Sequence, residues 1–139
     1  MSASFFLDTN VLVYSFDATA PSKRDRASAL ISSALGGEGM ISFQVVQEFL
    51  NVALRKFERP MTAPQARAYH DGVLLPLCRV QSGPGLYREA LMLHERWRFS
   101  FCDSLIVAAA LEGACQTLYS EDLQHGQAIG GLTVIDPFR

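Results

Sequence analysis

The sequence predicts an α/β fold: helices packed on a small, mostly parallel β-sheet. Three observations predict it. Short apolar runs ended by turn-forming polar residues recur along the chain, as buried strands do. Segments with helical spacing of apolar residues separate those runs, which is the alternation of βαβ units. One segment, Leu105–Leu111, is apolar nearly all round, which suits a central, covered helix.

The totals agree with a globular chain. Its 139 residues are expected to form one domain spanning 1–139. A chain of this size buries about 68–70% of its unfolded surface. Apolar residues make up 49% and charged residues 19%, and the net charge is −2. That balance lacks the basic excess of a protein that binds nucleic acid by charge alone. It does not exclude a nucleic-acid enzyme, because metal-holding carboxylates also count as negative. Cys78, Cys102 and Cys115 are odd in number and form no C-x-x-C pair. They are expected to be buried, reduced thiols in a cytoplasmic setting. No basic segment precedes the first apolar run and Asp8 cuts that run short, so no signal peptide is expected. Leu105–Leu111 is too short to cross a bilayer, so no membrane association is expected.

Taken in order, Phe5-Phe6-Leu7 is the first strand, and Asp8-Thr9-Asn10 ends it. Val11–Tyr14 begins a short helix that Thr9 or Asn10 would cap. After a loop at Asp17–Pro21, Ser22 would cap a helix with Ala27, Leu30, Ile31, Ala34 and Leu35 on one face. Gly36-Gly37 ends it. Lys23, Arg24 and Arg26 read as its solvated face. Gly39–Ser42 is a second strand. A long helix follows from about Phe43 to Phe57 and stops before Pro60. Val45, Phe49, Val52 and Ala53 define its buried arc. Thr62-Ala63-Pro64 opens another helix, which runs to about Leu75. Leu77–Val80 is a strand, and Pro84–Trp97 a helix with Leu86, Ala90, Leu93 and Trp97 as one stripe. His94 borders that stripe and has no second His or Cys at metal spacing. Ser100–Gly113 holds the central helix, and Gly113 stops it. Cys115–Tyr119 is a strand, Ser120 would cap a short helix, Gly126–Gly131 is a loop, and Leu132–Ile135 is the last strand.

Four acids stand at junctions of these elements: Asp8, Glu48, Asp103 and Asp122. Each has an ordinary explanation when taken alone. Asp103 and Asp122 suit first turns of helices, where the dipole favours a carboxylate by about 0.3–1 kcal/mol. Glu48 borders a buried arc and lacks a basic partner at i+3 or i+4, so a surface helix ion pair does not account for it. Together they are harder to dismiss. Ligands of an open α/β sheet bind outside the carboxyl ends of its strands, where Asp8 and Asp122 are expected. Two like charges about 4 Å apart repel by about 4 kcal/mol at an effective dielectric near 20. Converging carboxylates therefore take up protons or bind a cation. An all-oxygen set suits Mg²⁺ or Mn²⁺, and a hard ion with open positions suits phosphoryl chemistry.

At these residues the chain resembles a known family. Phe6-Leu7-Asp8-Thr9-Asn10-Val11-Leu12 is similar to the opening motif of PIN-domain ribonucleases, and of VapC-type toxins among them. Gln44–Phe49, Asp103–Ala110 and Leu118–Leu123 follow in the family's order. The resemblance implies a three-layer α/β/α sandwich and a negatively charged site for one or two Mg²⁺ or Mn²⁺ ions. It implies that Asp8, Asp103 and Asp122 are the main metal ligands and that Glu48 holds metal or orients the attacking water. Asn10 and Ser120 would support Asp8 and Asp122. The implied reaction is hydrolysis of an RNA phosphodiester to 5′-phosphate and 3′-hydroxyl ends. The implied assembly is a homodimer inhibited by a small antitoxin. The chain departs from the usual pattern at Cys102 and Ser104, where an aromatic or aliphatic residue and an alanine are more common. Adjacent Glu121 and Asp122 leave open which acid reaches the metal, and family spacing favours Asp122.

Other readings fit less well. A phosphatase with an aspartate nucleophile needs a second Asp where this chain has Asn10. A receiver domain needs a Lys after a late strand, and the only lysines are Lys23 and Lys56. A non-catalytic RNA- or partner-binding module that keeps the fold remains the alternative. Arg55, Lys56 and Arg59, or Arg96 and Arg98, are candidate phosphate contacts, and each also fits a solvated helix end.

Overall fold

The computed structural model describes residues 3–139, so residues 1 and 2 of the expected 1–139 domain lie outside it. Six strands form one sheet: β1 (Phe5–Leu7), β2 (Gly39–Ser42), β3 (Cys78–Val80), β4 (Thr117–Tyr119), β5 (Ala128–Ile129) and β6 (Leu132–Ile135). Their order is β3-β2-β1-β4-β6-β5. All neighbouring pairs are parallel except β5–β6. Every residue of β1 and β2 is buried. Successive strand side chains point to opposite faces, so both faces of the sheet centre are covered. The fold is an α/β sandwich with helices flanking a central sheet, consistent with three layers.

The helices are α1 (Thr9–Tyr14), α2 (Pro21–Ser33), α3 (Phe43–Arg55), α4 (Ala63–Tyr69), a three-residue turn α5 (Leu75–Leu77), α6 (Pro84–Trp97) and α7 (Phe101–Glu112). A wide turn at His70–Leu74 joins α4 to α5. Helix α1 packs on α2 and α3, and α6 packs along α7. Ser104–Ala110 of α7 are all buried, so the helix that is apolar all round is central, as expected. Gly39 begins β2 because nothing larger fits. A Cβ there would stand 2.3 Å from the Phe5 ring and 2.7 Å from the Ala34 Cβ. Among the described residues no helix is long and apolar enough to cross a membrane.

Several local expectations are corrected. Helix α1 starts at Thr9, and its cap is Asp8 rather than Thr9 or Asn10. Helix α2 starts at Pro21, after Ala20, and Ser22 makes no cap. Proline in the first turn supplies the fixed φ a helix start needs, so a side-chain cap is dispensable there. Leu35 is exposed, because Gly37 at φ 104° turns the chain off the helical face before β2. Val52 and Trp97 are half-buried at the edges of their stripes. Only Cys115 is a buried thiol, while Cys78 is intermediate and Cys102 exposed. Ser120–Gln124 form a bend instead of a helix. Ala128–Ile129, expected as loop, pair antiparallel with β6 through a Gly130-Gly131 turn, and Gly130 has φ 59°. His94 hydrogen-bonds the carbonyl of Phe99, the boundary role expected of it.

Candidate active site

Strand order fixes where the site lies. From β1 the chain builds outward through β2 to β3, while β4 pairs on the opposite side of β1. The order therefore reverses between β1 and β4, and the crevice outside their carboxyl ends is the natural ligand position. Asp8 follows β1 at once, and Ser120 follows β4.

Asp8 is only 6% exposed. Its Oδ1 accepts the Thr9 N–H at 2.7 Å and its Oδ2 accepts the Ser120 hydroxyl at 2.8 Å. One carboxylate thus caps α1 and ties it to the chain leaving β4. The fully buried Ser120 also accepts the N–H groups of Asp122 and Leu123 at 3.3 and 3.4 Å. That turn sets the direction of the segment carrying Asp122. Glu48 comes from the middle of α3, and its Oε1 accepts the Thr9 hydroxyl at 2.7 Å. Asp103 lies in the first turn of α7, where its N–H is capped by the Ser100 hydroxyl at 3.1 Å. Asp8, Asn10, Glu48, Asp103 and Asp122 line one cavity of about 370 Å³. Four acids from four separate elements therefore share one opening, with Ser120 behind them. Among the described residues no Lys or Arg lines it.

The electrostatics follow from this placement. Burial pushes the Asp8 carboxyl up to about 6, against the hydrogen bonds from Ser120 and Thr9, and the charges of Asp122 and Glu48 push the same way. Burial also raises Asp122, helped by the charges of Asp103 and Glu121. Two amide oxygens at the cavity, Asn10 Oδ1 and Gln44 Oε1, are buried without a hydrogen-bond partner. Among the described residues no three Asp, Glu, His or Cys side chains are grouped closely enough to hold one ion. The acids share a cavity without closing on a common point.

Glu121 faces elsewhere. Its carboxylate accepts the Lys23 ammonium at 2.7 Å and the Tyr14 hydroxyl at 2.8 Å. Burial works against its ionisation, but these two partners outweigh it and hold the carboxyl below its usual range. Lys23 is therefore a clamp on the loop after β4 and not part of a solvated face, and its ammonium lies 4.6 Å from the Tyr14 ring centroid. Two contributors were missed in the sequence. Thr9 holds Glu48, and Gln44 donates its Nε2 to the Cys102 carbonyl at 3.0 Å, fixing α3 against the start of α7. The Gln44–Glu48 spacing of one helical turn was the available signal for Gln44, since it puts both on one face.

The PIN domain family pattern matches residues 5–128, and the chain belongs to the PIN domain family. No curated protein sequence matches it. Among solved structures it is similar to a toxin–antitoxin complex from Klebsiella pneumoniae, with a TM-score of 0.71 at 18% identity, over 97% of this chain and 98% of that one. It is also similar to VapC20 of Mycobacterium tuberculosis, described as a sarcin–ricin loop cleaving toxin, with a TM-score of 0.63 at 23% identity, over 86% and 90% of the two chains. FitAcB from Neisseria gonorrhoeae gives 0.62 at 17% identity, over 96% and 97%. At these identities the likeness is one of fold.

Proposed function

We propose that this PIN-domain chain is a Mg²⁺- or Mn²⁺-dependent endoribonuclease of the toxin type, restrained by a small antitoxin and active as a homodimer. The observation that carries the reading is the shared cavity of Asp8, Glu48, Asp103 and Asp122, lined by no cation among the described residues, at the switch point of the sheet. The description of the similar Klebsiella pneumoniae structure as a toxin–antitoxin complex supports the partner.

The residues fit a hard divalent ion. The donors are carboxylate and amide oxygens, with no His and only the rim thiol of Cys102. Asp8, Asp103 and Asp122 would hold the ion, with Glu48 as a further ligand or as the residue that orients water. Uncompensated carboxylates repel one another, and a cation supplies the attraction that draws them together. When bound, such an ion activates water and offsets charge on the phosphodiester oxygens.

The protein's own residues supply the rest. Asp8 is fixed by Ser120 and Thr9, so its orientation does not depend on the ligand. Glu48 uses Oε1 on Thr9 and has Oε2 left to take a proton from the attacking water. The water oxygen bonds to phosphorus, the P–O3′ bond breaks, and O3′ takes a proton from solvent as it leaves. The products carry 5′-phosphate and 3′-hydroxyl ends.

The test is cleavage of a mixed RNA pool by protein freed of any antitoxin, with Mg²⁺, Mn²⁺ or EDTA, beside Asp8→Asn. Metal-dependent cutting lost in the variant is expected. No cutting, together with no Mn²⁺ uptake by calorimetry, would reverse the reading in favour of a binding module.

A further inference from the structure

A second hollow, of about 760 Å³, opens beside the acid cavity. Val13 and Val52 line both, so the two hollows are adjacent, with these side chains between them. Phe16 in its wall is 43% exposed, although it packs on Phe49, Phe57 and Tyr69 at centroid distances of 5.8, 5.4 and 5.2 Å. An aromatic ring held by three others and open to solvent is a rigid stacking surface. Lys56 and Arg59, also in the wall, are exposed and form no ion pair among the described residues. Of the two acids there, Asp17 is engaged by the N–H and hydroxyl of Thr19 at 3.0 and 2.6 Å. The Thr19 bonds keep Asp17 ionised, so Asp17 and Glu58 match the two cations in number, but Asp17 is committed to Thr19 while Lys56 and Arg59 are unpaired among the described residues.

We propose that this groove binds a nucleotide flanking the scissile bond, with its base stacked on Phe16 and its phosphate on Lys56 and Arg59. The inference rests on the ribonuclease reading. A strand cut in the acid cavity must leave it, and this adjacent hollow offers both an aromatic face and cations. Every base has a π-face, so the subsite grips single-stranded RNA without reading its sequence.

The test is fluorescence anisotropy of a labelled random-sequence RNA decamer with Mg²⁺, in an Asp8→Asn background so that the probe survives. Phe16→Leu keeps apolar packing but loses the stacking face, and is expected to weaken binding about five- to hundredfold. Phe16→Tyr is expected to retain it. Lys56→Gln with Arg59→Gln is expected to flatten the log–log salt dependence by roughly 0.7, the slope of one phosphate neutralised on a single strand. A merely structural role of the groove leaves the salt slope unmoved, and circular dichroism and thermal unfolding of Phe16→Leu check that its packing is intact. Unchanged affinity and slope in folded variants, with wild-type protein still cutting the RNA pool, would overturn the subsite and leave the ribonuclease reading standing. Loss of a copurifying protein with RNA binding unaffected would also overturn it and make the groove a protein-docking surface.

Discussion

Replacing Asp8 by Asn should make the protein more stable while removing its activity. The Asp8 carboxyl is raised from 3.8 to about 6, so above pH 6 the folded state carries a charge that burial disfavours. The sign follows from proton counting. Between pH 4 and 6 the folded state binds more protons than the unfolded one, so stability falls as pH rises through that window. The shift of about 2 units, from 3.8 to about 6, corresponds to about 3 kcal/mol lost above pH 6. Asn keeps the geometry: its Oδ1 can still accept the Thr9 N–H, and Asn caps helices as well as Asp does. Its amide faces a Ser120 oxygen that already accepts two N–H groups, so the Ser120 hydroxyl loses its acceptor and about 1 kcal/mol of the gain is offset. Thermal unfolding of metal-free protein should therefore show Asp8→Asn higher by about 6 °C at pH 7.5. The gap should close between pH 6 and 4. Saturating Mn²⁺ should reverse the order, because only the wild-type protein gains binding free energy. An Asn variant no more stable at pH 7.5, or one that Mn²⁺ stabilises as much as wild type, would refute the reasoning.

Other outcomes follow from the same structure. Lys23→Met should leave stability nearly unchanged, since a partly exposed ion pair contributes little, yet weaken Mn²⁺ binding in calorimetry by releasing the loop that carries Asp122. Lys23→Arg should restore that affinity. Gly39→Ala should cost about 1–3 kcal/mol in urea unfolding, because the added methyl meets the Phe5 ring and the Ala34 Cβ. Thiol titration at pH 8 should modify Cys102 quickly and leave Cys115 untouched, because Cys115 is buried and burial pushes its thiol up to about 11. Mn²⁺ should slow the Cys102 reaction, since that residue lines the acid cavity.

Much of the fold was legible in the chain because local patterns carry it. The three apolar residues Phe5-Phe6-Leu7, the two glycines after Leu35 and the all-apolar turn faces of α7 are read within short windows, and their period or breakers fix the element. The four acids were legible for a related reason, since each stands at an element's end or edge, where a bland role accounts for it only in part. Less visible were the roles that join distant segments. Asp8 accepts a hydroxyl from Ser120, 112 positions on, and Glu48 accepts one from Thr9, 39 positions back. Neither partnership leaves a periodic trace.

By itself, the sequence determined the alternation of strands and helices, the central place of α7 and the junctional positions of the four candidate acids, because propensity and hydrophobic period are local properties. Only the tertiary structure decided that Asp8 caps α1, that Lys23 and Tyr14 turn Glu121 away while Asp122 faces the cavity, and that Ala128–Ile129 pair as an edge strand. A charge, a hydroxyl or a two-residue strand has several partners open to it locally. Which one it takes depends on chain segments that meet only when the sheet is assembled.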